Sequence, residues 1–315
     1  MKRKILFLSY NFPPELSAGA VRSISLVKEL AKINREKKIY VFCSTANRYG
    51  KLINDKKDSE IDTDLCFFEN VFVKRIYVPY LGNGIIGLSI SYLFYFFQVI
   101  FAGLIIKPNI IIATSAKLMT GFTGALIAFL IRKKFYLDIR DTFTDNFFYF
   151  YRWKKRFLLT SFFLLIENFT IRQANSINLV SKGFDSAYNG WDQIITKKNI
   201  SLTYFPNGIS RKFKEKIQNK LNISKNISNK YSIIYCGNLG IGQNIFKLVK
   251  NIYIQKNLLN YFKKNKIKLE IYGSGSEKNE IQSIINKNNI SKSISNGIIE
   301  YKGLIKKEEV PNVYI

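Results

Sequence analysis

No histidine occurs anywhere in the 315 residues. Its absence removes every Ser/His or Cys/His nucleophile and every imidazole acid–base pair. Cysteine is nearly as scarce. Cys43, Cys66 and Cys236 are far apart and lack Cys-x-x-Cys spacing, so a zinc site finds no ligand set. Three reduced thiols of a cytosolic protein are expected instead. Acidic residues are few, with 22 Asp and Glu against 49 Lys and Arg, a net charge of +27. The basic residues are spread along the chain, and RNP, KH and helix-turn-helix signatures are lacking. Attraction to anionic lipid or a phosphorylated substrate is therefore expected in place of nucleic-acid binding. The apolar run of "MKRKILFLSYNFPP" is too short for a cleavable signal peptide and meets two prolines.

What is present is a globular composition, 47% hydrophobic and 23% charged, in a chain long enough for two α/β domains. Ile5 to Ser9 form an apolar run suited to a buried parallel strand, and Pro13 and Pro14 break the chain after it. Ser17 can cap a helix carrying Val21, Ile24, Val27 and Leu30, with Gly19 letting its start approach a ligand. Such a helix start suits phosphate or pyrophosphate. The pattern is neither GxGxxG nor a P-loop, which excludes both of those readings.

Further strands are expected at Ile39–Ser44, Phe72–Val78, Ile110–Thr114, Lys134–Asp138 and Ser176–Val180, with helical patterns between most of them. This alternation is the grammar of a doubly wound parallel sheet. Leu88 to Ile106 is nearly uncharged and about long enough to span a bilayer. It reads either as a membrane-inserted helix or as a buried one between strands, the second fitting the sheet grammar. Phe147 to Ile171, aromatic and Leu-rich around "RWKKR", reads either as an interfacial segment or as a solvated helix face.

Near Tyr204 the chain changes character, with "YFPNGIS" as a turn and a Lys/Asn-rich run to Lys230. The expected division is a first domain 1–208, a linker region 209–230 and a partial second domain 231–315. Strand–turn–helix units then begin at "YSIIYCGNLGIGQN", "KLEIYGSGSE" and "GIIEYKGLIKKEEVPNVYI". Three such starts make about half a Rossmann-like domain, and the resulting sheet is expected to leave an unpaired edge and an uncovered apolar face.

The strings "NFPPELSAGAVR", "LDIRDTFTD", "RQANSINLVSKGF", "PNGIS", "YCGNLGIGQN", "YGSGSE" and "YKGLIKKEEVPNVY" occur in one order along the chain. In that order the sequence resembles the family-4 retaining glycosyltransferases, in particular bacterial members that build O-antigen, capsule and related polysaccharides. The resemblance implies an α/β GT-B architecture of two Rossmann-like domains facing across a cleft, the second incomplete here. It implies transfer of a sugar, with retention, from a UDP-, GDP- or dTDP-sugar to a lipid-linked glycan acceptor. No metal or other cofactor is implied, and the expected location is cytoplasmic, peripheral on the membrane face.

Carried over by position, the resemblance places Gly19 near donor phosphates and acceptor, and gives catalytic roles to Arg140 and Asp141, where many members have His–Asp. A salt bridge pinning a loop is the bland alternative for that pair. Ser181 and Lys182 follow another strand, and Asn207 and Gly208 match the turn before the second domain, where turn chemistry alone is the alternative. Donor and phosphate contacts are further implied for Asn238, Gly240, Gln243, Gly273, Gly275 and Gly303.

Two departures bear on mechanism. Asn238 and Gln243 stand where many members carry Arg and Lys, so backbone amides of Gly240 to Gln243 are expected to compensate. The family's Glu-x7-Glu motif would fall after Ile315. These departures support a second reading, a catalytically incomplete fragment or pseudoenzyme acting as a membrane-associated scaffold.

Overall fold

The computed structural model describes residues 3–13, 18–45, 68–79, 81, 85–115, 118–141, 156–186, 191–209, 211–221, 231–291, 297–306 and 309–314. Ser17 and the 147–155 part of the aromatic segment lie outside the described residues. The chain divides into two compact units, Met1–Asn207 and Gly208–Ile315.

The first unit is built on seven strands: β1 (Lys4–Leu8), β2 (Lys38–Ser44), β3 (Val71–Ile76), β4 (Ile110–Ser115), β5 (Lys134–Ile139), β6 (Ser176–Leu179) and β7 (Ser201–Tyr204). They form one sheet in the order β3-β2-β1-β4-β5-β6-β7. Every neighbouring pair is parallel. Strands of a parallel sheet are covered on both faces, which is why β1 reads as an unbroken apolar run and buries Ile5, Leu6, Phe7 and Leu8 alike. Strand β7 falls where the sequence pattern predicts only the approach to a turn.

Helix α1 (Ala18–Ile33) covers one face, packing Val27 and Ala31 on Ile5, Phe7, Ile39 and Val41. Helices α2 (Ile85–Ile106), α3 (Leu118–Ile131), α4 (Arg156–Gln173) and, after the short α5 (Gly183–Ser186), α6 (Trp191–Lys198) cover the other. Right-handed crossovers require this split, since the strand order runs one way from β1 to β3 and the opposite way from β4 to β7. The reversal lies between β1 and β4, and ligands of open α/β sheets bind outside the strand carboxyl ends at such a point.

Helix α2 contains the segment read as membrane-inserted or buried. One side packs firmly. Tyr95 Oη donates to the Phe42 carbonyl at 3.0 Å, Tyr92 Oη lies 2.6 Å from Thr123 Oγ1, and Tyr95 is fully buried. Burial raises both tyrosines above the ordinary phenol range. The other side is exposed and apolar. Among the described residues this is the one helix long and apolar enough to cross a membrane.

The second unit begins with α7 (Arg211–Leu221), within the segment expected to link the domains. Its sheet has the order β10-β9-β8, formed by β8 (Tyr231–Asn238), β9 (Ile267–Ser274) and β10 (Ile299–Gly303), all parallel. Helices α8 (Ile245–Ile254), α9 (Lys256–Lys264) and α10 (Lys278–Ser291) connect the strands, and α11 (Val310–Val313) follows. Successive crossovers step in one direction, so their helices share a face. The core there joins Leu239, Val249, Ile252, Phe262, Leu269, Ile271, Ile281 and Ile299. The alternate residues of β9 and β10 are polar where an uncovered apolar face was expected. Lys268 Nζ lies 2.6 Å from Glu300 Oε1, Lys302 pairs with the same carboxylate, and Tyr272 Oη donates to Glu270 Oε2 at 2.9 Å.

Candidate functional site

At the carboxyl ends of β5, β6 and β7 a buried polar network replaces the apolar packing of the strands. Asp138 is the single acid in β5, set between the buried Leu137 and Ile139. A buried carboxylate needs a partner, and Arg22 of α1 supplies it with a two-pronged contact: Nε donates to Oδ2 at 3.0 Å and Nη2 to Oδ1 at 2.8 Å. Asn178 of β6 donates Nδ2 to Asp138 Oδ1 at 2.6 Å. The Asn178 Oδ1 in turn accepts the Phe205 amide at 2.9 Å and Thr203 Oγ1 at 3.2 Å. Arg22 also reaches the Phe205 carbonyl at 3.1 Å, the Pro206 carbonyl at 3.3 Å and Asn207 Oδ1 at 3.4 Å. One arginine thus bonds both the end of β5 and the turn that follows β7, with Asn178 of β6 joining through the shared Asp138 carboxylate.

Arg140 follows β5 directly. It is buried, and among the described residues its Nε and Nη1 find no hydrogen-bond acceptor. Burial lowers its pKa, opposed by the nearby Asp138 and Asp141 carboxylates. Asp141 is exposed in part, yet burial of its carboxyl raises it above the ordinary range, against the pull of Arg140. No ion pair joins Arg140 to Asp141 among the described residues, so the loop-pinning salt bridge is not formed. A buried guanidinium with unmet donors is a ready site for an anionic group.

Gly19 is buried in the first turn of α1, where its carbonyl accepts Ser23 Oγ at 2.8 Å and Ser23 Oγ lies 2.7 Å from Ser9 Oγ. Ser181 and Lys182 are exposed beyond β6, with the Ser181 carbonyl accepting the Phe184 amide at 3.2 Å. The expected residues of the first unit, Gly19, Arg140, Asp141, Ser181, Lys182 and Asn207, therefore share one edge of the sheet. A small pocket on this side is lined by Ser115, Leu118, Asp141, Glu167, Thr170 and Trp191.

Of the expected residues of the second unit, Asn238, Gly240, Gln243, Gly273, Gly275 and Gly303 gather at the carboxyl ends of β8, β9 and β10, while Gly208 opens the unit away from them in sequence. Asn238 and Gln243 pair with each other, Nδ2 to Oε1 at 3.1 Å, across a turn whose Gln243 amide donates to the Gly240 carbonyl at 3.0 Å. That amide is committed to the turn, which leaves fewer to compensate for the absent Arg and Lys. Gly273 has φ of +142°, and a Cβ there would stand 1.8 Å from the Gly237 carbonyl oxygen. A Cβ on Gly275 would stand 2.3 Å from the Leu239 carbonyl oxygen. Both glycines let β8 and β9 close on each other at this end. Gly208 and Gly303 have open space around them. No group of three metal-ligating side chains occurs among the described residues.

Arg22, Asp138, Asn178 and Glu167 were not singled out from the sequence. A lone acid inside an apolar strand was the available signal, because its burial demands a cation.

No protein-family model and no curated protein matches the chain. Solved structures do. HepE of Anabaena, in complex with UDP and glucose, shares 14% identity at a TM-score of 0.56 over 99% of this chain and 71% of that one. The trehalose-6-phosphate phosphatase N-terminal domain of Candida albicans shares 13% at 0.58, over 98% and 74%. UGT89C1 of Arabidopsis thaliana, complexed with UDP, shares 11% at 0.51, over 98% and 72%.

The fold is GT-B. Both parallel sheets belong to that class, and the identities are low enough that the likeness concerns fold alone.

Proposed function

We propose that the chain is a glycosyltransferase that moves a sugar from a nucleoside-diphosphate donor to a membrane-linked glycan acceptor, with retention, at the cytoplasmic face of a membrane. The observation that carries this reading is Arg140, a buried guanidinium whose Nε and Nη1 meet no acceptor among the described residues, at the carboxyl edge of a GT-B sheet. Two of the similar structures hold UDP, which supports a nucleotide-sugar donor. In the proposed reaction the bond between the anomeric carbon and the diphosphate oxygen breaks, with its electron pair passing to that oxygen. The acceptor hydroxyl oxygen bonds to the same face of the sugar. Arg140 stabilises an anionic substrate oxygen, and Asp141, its pKa raised by burial, takes the hydroxyl proton.

The test is a panel of UDP-, GDP- and dTDP-sugars. The expected result is a rise in melting temperature with one donor, and donor consumption when a lipid-linked glycan is added. A folded protein with no shift across the panel sinks the reading.

One observation favours the second reading, a non-catalytic binder. The phosphate-side turn of the second unit carries an uncharged Asn238–Gln243 pair that satisfies itself. Donor binding without turnover is its expected signature.

A further inference from the structure

Helix α2 has two unlike sides. The inward side is tied to the sheet through Tyr92, Tyr95, Val99 and Gly103, the last so close to α3 that an added Cβ would stand 2.9 Å from Ile127 Cδ1. The outward side shows Leu93, Phe94, Phe97, Phe101 and Ile105, with Phe97 65% and Phe101 70% exposed. The spacing of Phe94, Phe97, Phe101 and Ile105 is one helical stripe.

This stripe is not isolated. Phe97 touches Phe96 at 5.3 Å between ring centroids, Phe96 stacks on Phe122 of α3 at 6.0 Å, and Phe122 meets Phe169 of α4 at 5.6 Å. Phe169 contacts Phe129, itself exposed, at 5.9 Å. A run of rings thus joins three helices, and Phe162 and Leu165 of α4 add further exposed apolar surface. A water-soluble surface rarely carries a patch of this extent without a partner.

Charge decides which partner. Between Glu69 and Asp138 the sequence has no acidic residue. Where α2 and α3 end, Lys107, Arg132, Lys133 and Lys134 stand exposed. A second copy of the chain would set this basic rim near another with no acid on the face to meet it. An anionic surface meets both the rim and the rings.

We infer that the outward side of α2, with the neighbouring surfaces of α3 and α4, docks in the plane of an anionic bilayer. Phe94, Phe97 and Phe101 enter the acyl boundary, and Lys107, Arg132, Lys133 and Lys134 rest at the headgroups. The helix lies along the membrane and does not cross it, because crossing would strip Tyr95 and its neighbours from the sheet core. The transferase reading lends this contact its purpose, access to a membrane-linked acceptor, but the contact itself stands on these residues.

The test is co-flotation of the full chain with phosphatidylglycerol-rich vesicles and, separately, with phosphatidylcholine vesicles. Flotation is expected with the first and is weakened by 1 M salt, which shortens the Debye length from about 10 Å to about 3 Å. The triple variant Phe94→Ser, Phe97→Ser, Phe101→Ser is expected to lose at least about tenfold in vesicle affinity. Its far-UV circular dichroism and its donor-induced thermal shift are expected to stay at the parent values. A second variant, Phe97→Trp, keeps the apolar face and is expected to shift its emission to the blue on anionic vesicles. The inference is overturned by no flotation of the parent chain, by equal flotation of the triple variant, or by an unshifted Phe97→Trp. A concentration-dependent dimer that the triple variant abolishes, without vesicle binding, assigns the face to a second copy and also overturns it. Donor binding is read separately, so failure of docking and failure of the transferase reading are distinguishable.

Discussion

Arg22 and Asp138 are separated by 116 residues of sequence and joined by two hydrogen bonds of 2.8 and 3.0 Å. Their side chains are 10% and 8% exposed, so the pair is nearly withdrawn from water. The pair ties the helix after the first strand to the fifth strand, and through the same guanidinium to the turn at Pro206.

Arg22→Ala leaves the Asp138 carboxylate buried with only Asn178 to meet it. The expected loss is about 3–5 kcal/mol of unfolding free energy, because one member of a buried pair remains uncompensated. Urea denaturation reads this value. Arg22→Ala combined with Asp138→Asn is expected to lose less than the sum of the two single variants. Additive losses would show that the pair does not act as a unit.

Arg140 predicts the opposite sign for stability. Arg140→Met removes two buried donor atoms that meet no acceptor among the described residues, and is expected to leave stability unchanged or raise it by about 1–3 kcal/mol. Sugar transfer by the same variant is expected to fall by about a hundredfold or more. Thermal melting and a donor-consumption assay together check the claim. A large loss of stability would place Arg140 among the structural residues.

The pH dependence has two limbs. Glu300 is pushed up by partial burial, but the ammonium groups of Lys268 and Lys302 more than reverse this, and its folded pKa lies below the unfolded one. Its contribution is therefore present above the unfolded carboxylate value and lost as the pH falls through the folded value. Asp141 has a folded pKa above its unfolded one, from burial opposed by Arg140. Its contribution is present below the unfolded value and lost as the pH rises through the folded value. Glu300→Gln is expected to flatten the acid limb and Asp141→Asn the limb above it, measured as unfolding midpoints from pH 3 to pH 8.

Gly273→Ala places a methyl 1.8 Å from the Gly237 carbonyl oxygen at a φ of +142°. Overpacking and backbone strain together predict a loss of about 3 kcal/mol or more, confined to the second unit. Hydrogen exchange is the measurement: amides of β8 and β9 are expected to lose protection while those of β1 and β4 keep theirs. Uniform loss across both sheets contradicts this.

The buried strands were legible because a parallel strand covered on both faces reads as an unbroken apolar run. Strand β7, "SLTY", was missed because it is four residues long and polar at two of them, and only its register against Ser176–Leu179 makes it a strand. Arg140 and Asp141 could be placed at a sheet edge from the sequence, whereas their lack of a mutual ion pair could not. Arg22 escaped notice because its partner is remote in sequence. For α2, length and hydropathy alone posed a choice between buried and membrane-inserted. The positions of Tyr92 and Tyr95 against Phe94, Phe97 and Phe101 show that each description fits one side.

The first strand of the chain lies in the interior of its sheet, with a neighbour on each edge. On the ribosome β1 can pair at once with β2, but its other edge is closed only by β4, with Lys4 bonded to Asn109 across 105 residues. At roughly 5–20 residues per second that edge waits about 5–20 seconds for its partner. During that interval the newly made chain carries an open apolar strand, and α2 emerges just before the strand that closes it. Synthesis near a membrane would give the apolar helix a surface to rest on before the sheet is complete.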